Sequence, residues 1–253
     1  MFPLYDEQSK KIYFWSFKCG CTFIRDVFYN HHLKLNYDKN YIKRISFFNR
    51  YDSLDLQKIS EYKKIFICRN PYSRILSCFI DKYIDGYFTL FLNLNIKIIN
   101  STNYFLNKEY IDFSFTHFID LVYDKLVLNK YTLLELDHIT PQFSINYNDD
   151  FVFDKIYKLE ELNNSTFLKD EFNIENNIEN NFTHNTNCSK STNIIKNAFD
   201  LNYDSLLELK NNKNIPHYSC FYNEDIKKKI DEIYLKDFET LKKYNIFYNI
   251  EYI

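Results

Sequence analysis

Apolar and polar positions alternate in two rhythms along this chain, and their order predicts an α/β fold. Lys11-Ile12-Tyr13-Phe14-Trp15-Ser16-Phe17 is a nearly continuous aromatic and β-branched run, the pattern of a buried strand over 11–17. Phe23, Ile24, Val27 and Phe28 then recur at helical spacing and predict a helix over 22–32. The couplet returns with Lys64-Ile65-Phe66-Ile67-Cys68, a strand over 64–68, and a helix over 71–84 that Pro71 opens. An amphipathic helix over 113–129, a strand over 151–158 and a helix from Glu160 follow. A long helix over 224–244 closes the chain, with Ile226, Ile230, Ile233, Leu235 and Phe238 on its apolar face. Residues 85–110 are an Asn- and Phe-rich insertion, and 173–197 an Asn-dense loop. There are no internal repeats, and 253 residues fit a single domain over 1–253.

The two strand-to-helix junctions carry the chemistry. Lys18-Cys19-Gly20-Cys21-Thr22 leaves the first strand, and Arg69-Asn70-Pro71-Tyr72-Ser73-Arg74-Ile75-Leu76-Ser77 leaves the second. Such junctions present backbone amides and a helix N-terminus to phosphate groups. Gly20, one of only two glycines in the chain, sits where the backbone must turn sharply beside a ligand, and Thr22 is placed to cap the helix that follows. The second glycine and the Lys-Ser/Thr pair of a Walker loop are absent, which disfavours an ordinary nucleoside triphosphatase. Ser77 lies about two helical turns beyond the Arg69 loop, so a guanidinium and a hydroxyl are available to one phosphate. A nucleotide-type ligand with phosphates at both ends is expected.

This pair of segments resembles the two nucleotide-binding motifs of sulfotransferases that use 3'-phosphoadenosine-5'-phosphosulfate (PAPS). Lys18, Gly20 and Thr22 match a Lys-x-Gly-x-Thr/Ser loop for the 5'-phosphosulfate. Arg69, Pro71, Arg74 and Ser77 match an Arg-x-Pro-x-x-Arg-x-x-Ser segment for the 3'-phosphate. The branch most similar is that of carbohydrate sulfotransferases acting on chondroitin and the HNK-1 glycan, sulfotransferase family 2. His138-Ile139-Thr140-Pro141-Gln142 resembles its His-x-x-Pro-Gln element, and 151–159 the strand after it. His184-Asn185-Thr186-Asn187-Cys188-Ser189 resembles a late His-x-Asn-x-Ser loop, and Tyr234, Asp237 and Phe238 a closing Tyr-x-x-Asp-Phe helix. Departures from the pattern are Asn70 for Asp, Ile139 for Trp, and Asp154 and Tyr157 for a Gly and a Glu.

The resemblance implies a three-layer α/β/α, P-loop-like fold with a central parallel sheet and the donor at the strand C-terminal ends. It implies PAPS as co-substrate, 3'-phosphoadenosine-5'-phosphate (PAP) as product, no metal, and a glycan or other hydroxyl acceptor. Lys18 would stabilise the leaving phosphate, and Cys19, Gly20, Cys21 and Thr22 would bind the 5' end. Arg69 and Ser77 would bind the 3'-phosphate, with Lys190 in reach of it. A histidine titrates in the range a general base needs, and His138 is the first choice among His31, His32, His117, His138, His184 and His217. His117, within an amphipathic helix pattern, reads as structural. Acceptor contacts are expected from 33–60 and 85–110.

Composition narrows the partners. A net charge of −2 provides no basic field for nonspecific nucleic-acid binding. The 23 Tyr and 25 Phe, beside two Gly, fit an AT-rich genome and mostly fill the core. Six cysteines lack metal-ligand or CxxC spacing and read as small buried residues. No run is long and apolar enough to span a membrane and no signal pattern opens the chain, so a complete cytoplasmic protein of microbial or viral type is expected, or a Golgi-lumenal enzyme if the chain is a fragment. Two rivals stay open: an atypical P-loop-type kinase, for which no clear acidic metal pair is present, and a nonenzymatic nucleotide binder.

Overall fold

The structure, a computed structural model, describes residues 2–38, 59–84, 113–128, 138–143, 151–164, 166–175, 188 and 191–252. The insertion expected over 85–110, His184 and Lys190 lie outside them. The chain divides into two compact units: Met1–Asn70 with Gln142–His184, and Pro71–Pro141 with Asn185–Ile253.

The first unit is built on a four-stranded sheet of β1 (Phe2–Asp6), β2 (Lys11–Trp15), β3 (Lys63–Cys68) and β4 (Lys155–Lys158), in that spatial order. β2, β3 and β4 are parallel, with Trp15 opposite Ile67 and Ile67 opposite Tyr157. Their C-terminal ends are thereby level. β1, which the apolar pattern does not announce, pairs antiparallel with β2 and makes the sheet mostly parallel instead of wholly so. Both faces are covered, as the unbroken apolar runs require. On one face Tyr13, Trp15, Ile65, Ile67 and Tyr157 pack with Phe23, Ile24, Val27 and Phe28 of α1 (Cys21–Asp26) and the π-helical turn Val27–His32 that extends it. On the other, Phe14 and Phe66 lie at ring distances of 5.5 and 5.1 Å from Phe153, and Phe143 is 4.5 Å from Phe66. Each fully buried ring of this kind contributes about 1.5–3 kcal/mol. The mixed α/β class, a mostly parallel central sheet flanked by helices, is the one the sequence implies.

Two strands are shorter than their apolar runs. β2 stops at Trp15 because Cys19 N–H turns back to the Ser16 carbonyl at 3.1 Å. β4 starts at Lys155: the rings of Phe151 and Phe153 pack on Phe14, and the Asp154 carboxylate accepts the Lys64 N–H at 2.7 Å. In place of the helix expected from Glu160 there is a 3₁₀ segment over Leu159–Asn164 and a short α2 (Phe167–Phe172).

The second unit is helical. α3 (Pro71–Phe79, extended by a π-helical turn over Ile80–Ile84), α4 (Phe115–Leu126), α5 (Tyr203–Asn211), α6 (Glu224–Ile233) and α7 (Leu235–Lys243) surround a core that includes Ile75, Phe79, Phe115, Phe118, Ile226 and Ile230. The helix predicted over 224–244 is two helices. Tyr234, at φ −108 and ψ 24, breaks it, held fully buried with its hydroxyl on the Ile139 carbonyl at 2.8 Å. α5 carries no strong apolar stripe and is not announced by the sequence. Among the described residues no helix is long and apolar enough to cross a membrane.

Candidate functional site

The level ends of β2, β3 and β4 set three connections side by side in the first unit. After β2, Lys18 (φ 66) and Gly20 (φ 72) both take the left-handed conformation. Gly20 is the N-cap of α1, and no side chain caps that end. This corrects the expectation for Thr22, which is the second helical residue instead of the cap. A glycine cannot cap with a side chain, so the first-turn amides keep their donor capacity for a ligand. Gly20 also lacks room for anything larger: a Cβ there would meet Leu159 Cδ1, on the connection after β4, at 2.5 Å. Behind the loop, Arg25 is buried with its guanidinium 5.2 Å from the Trp15 ring centre and Nε on the Cys21 carbonyl at 2.9 Å. Burial pulls its pKa below the usual value, yet an arginine keeps its charge.

The Arg69–Asn70 turn after β3 is tied to the first loop. Arg69 Nη1 donates to the Lys18 carbonyl at 2.9 Å. Gln142, fully buried, accepts the Arg69 N–H at 2.8 Å through Oε1 and donates from Nε2 to the Arg69 carbonyl at 2.8 Å. The same Oε1 lies 3.0 Å from the Cys19 thiol, which is itself 3.2 Å from Ser16 Oγ. Asn70 N–H donates to Glu160 Oε1 at 2.8 Å. Lys18, Cys19, Gly20, Cys21, Thr22 and Arg69 are thus assembled within one unit.

Ser77 and His138 belong to the second unit. Ser77 is buried on α3. One turn before it, the buried Arg74 donates from Nη2 to the Thr140 carbonyl at 2.8 Å, with its guanidinium 5.7 Å from the Tyr234 ring centre. Together with the Tyr234 hydroxyl on Ile139, this holds the two residues after the half-buried His138 by their carbonyls. The other described histidines have architectural partners. His117 Nδ1 accepts from the Ser114 N–H in the cap of α4, as its helical setting implies. His217 Nδ1 is 2.6 Å from Ser219 Oγ in a 3₁₀ turn. His32 and His31 face Asp6 and Asp26 at 2.7 and 3.5 Å.

A family model described as sulfotransferase family matches residues 4–245, and so takes in both loops, the His138 turn and the Tyr234 break in one span. The chain belongs to the sulfotransferase family. No curated protein and no solved structure matches it. Sulfotransferases are transferases that move a sulfuryl group, and the loops described above form the candidate site of this sulfotransferase.

The departures from the family pattern are put to local use. Asp154 N–H donates to the Lys64 carbonyl at 2.8 Å, beside its carboxylate contact to the Lys64 N–H. Tyr157 donates to Glu171 Oε1 at 2.7 Å. Burial raises the Glu171 carboxyl, but Tyr157, Lys11 and Lys63 outweigh it and hold the group below its usual value. None of the six cysteines is joined in a disulfide, and all but Cys21 are buried. Gln142, Arg74, Tyr234 and Leu159 are the residues that sequence reasoning left without a role. The first three stand inside the motifs already quoted, which was the available signal. Leu159 had none.

Proposed function

We propose that this sulfotransferase uses PAPS as donor and a glycan hydroxyl as acceptor, acting as one domain over 1–253. The observation that carries the reading is the Arg69 turn joined to the Lys18 loop by the Arg69 guanidinium and by Gln142. Two loops tied together in this way suit a nucleotide with phosphates at its 3' and 5' ends. The donor set fits such a ligand chemically: an uncapped helix start at Gly20 with Lys18 beside it, and a guanidinium at Arg69.

In this reading the sulfur–oxygen bond to the 5'-phosphate breaks as the bond to the acceptor oxygen forms, and negative charge grows on the departing phosphate oxygen. Lys18 and the first-turn amides of α1 stabilise that charge. His138 takes the acceptor proton, its ring set by a turn whose carbonyls Arg74 and Tyr234 hold. Arg69, Ser77 and Lys190 bind the 3'-phosphate. A chain without membrane span in its described residues fits a cytoplasmic enzyme.

Isothermal titration with PAP, against ATP and adenosine 5'-phosphosulfate, tests the donor. Selective binding of the bisphosphate, weakened by Arg69→Ala, supports it and justifies an acceptor screen over a glycan panel. Equal binding with and without a 3'-phosphate would sink it.

A further inference from the structure

One carboxamide touches both the loop after β2 and the turn after β3. Gln142 is fully buried, and its amide makes a closed pair with the backbone of Arg69, N–H to Oε1 and Nε2 to O, both at 2.8 Å. That pair fixes the peptide geometry of the residue whose guanidinium reaches Lys18. The second lone pair of Oε1 faces the Cys19 thiol at 3.0 Å, inside the first loop and one residue before Gly20. Cys19 in turn closes the turn that ends β2, through its N–H on the Ser16 carbonyl at 3.1 Å. A buried amide with this geometry is costly to disturb, since each lost bond strands a backbone group away from water.

We propose that Gln142 is a positioning residue that couples the Cys19–Thr22 loop to the Arg69 turn, so that the two anion sites are presented to a ligand as one rigid unit. The inference rests on the donor reading above for its consequence, though not for the coupling itself. Its signature is cooperative: the gain from a 3'-phosphate depends on Gln142, because a 3'-phosphate on a loosened turn no longer orders the 5' site. Gln142 touches no reacting atom in this scheme and is not a catalytic residue.

The test compares Gln142→Met, which keeps the length and removes the bonds, with wild type and with Phe172→Leu. The last substitution weakens the first unit's core on the α1 face, away from the clamp. Affinities for PAP and for AMP are measured by titration, and amide exchange at 19–22 and 69–70 is followed on the ligand-free proteins. In Gln142→Met both segments should exchange at least tenfold faster, and the PAP-to-AMP affinity ratio should fall at least tenfold. In Phe172→Leu the ratio should stay within about twofold of wild type. Faster exchange at 69–70 alone, an unchanged ratio in Gln142→Met, or the same loss of ratio in Phe172→Leu would each overturn the coupling. If wild type itself shows no preference for PAP over AMP, the donor reading fails, and the coupling is decided by the exchange rates alone. Should Gln142→Met not fold, Gln142→Asn, one methylene short of the clamp, is judged by the same measurements.

Discussion

The guanidinium of Arg69 donates to the carbonyl oxygen of Lys18 at 2.9 Å, so the residue that follows β3 helps shape the loop that follows β2. Under the proposed donor binding Arg69 has two roles, one toward the ligand and one toward the protein. Arg69→Ala removes both, and PAP affinity should fall about tenfold to a hundredfold, the worth of one or two hydrogen bonds to a charged group. Arg69→Lys keeps the charge without the planar fork, and should recover only part of that loss. Titration of both variants checks this. A fully recovered affinity in the lysine variant would mean that only charge matters.

In the proposed mechanism Lys18 and His138 separate binding from chemistry. Lys18→Ala should lower kcat about 10²- to 10³-fold, as removal of one transition-state donor does, while PAP affinity changes less. His138→Ala should abolish transfer to the best acceptor in a glycan panel and leave PAP binding within about twofold of wild type. Retained turnover in the histidine variant would remove His138 from the mechanism.

In the same proposed mechanism Tyr234 acts on His138 at one remove. Its hydroxyl bond to the Ile139 carbonyl is buried, and Tyr234→Phe removes it while the Arg74 bond to the Thr140 carbonyl stays. A stability loss of about 1 kcal/mol is expected by denaturant melt, with kcat lowered severalfold and the donor KM unchanged. A shift in donor KM with kcat intact would contradict the assignment.

Gly20 carries two separable constraints. Gly20→Ala places a methyl against Leu159 and a side-chain-bearing residue at φ 72, the latter costing about 1–2 kcal/mol. Pairing it with Leu159→Ala should relieve the clash and leave the backbone cost. Thermal unfolding of the two single variants and the double should thus be non-additive.

Glu171 makes stability depend on pH. Its carboxyl is held below its usual value in the folded state by Tyr157, Lys11 and Lys63, in opposition to burial. The unfolded chain consequently takes up the proton first as pH falls. The stabilisation is complete above the ordinary glutamate range and drains away below about pH 4. Glu171→Gln should cost on the order of 2 kcal/mol at pH 7 and flatten the acid limb of the stability profile. An unchanged acid limb would assign the pH dependence elsewhere, with Asp6 the next carboxylate held low.

β2, β3, α1 and the first turns of α3 were legible because their signal is local. Apolar runs such as Ile65-Phe66-Ile67 encode burial on both faces, and Pro71 marks a helix start by its fixed φ. β1 was not legible, since Phe2–Asp6 becomes a strand by pairing with β2. The break at Tyr234 was hidden for a similar reason: the apolar stripe runs through it, and a bond to Ile139 decides the backbone.

The order of residues determined the family, the mixed α/β class and the composition of the two candidate anion loops, all of which follow from which side chains stand next to which along the chain. Only the tertiary structure decided that Gly20 caps α1 in place of Thr22, that Leu159 fills the space a larger residue would need, and that Gln142 fastens Arg69 to Cys19. The last two are relations between residues 73 to 139 positions apart, created when parallel strands end level with one another, and no local pattern in the sequence encodes which loops such strands will bring together.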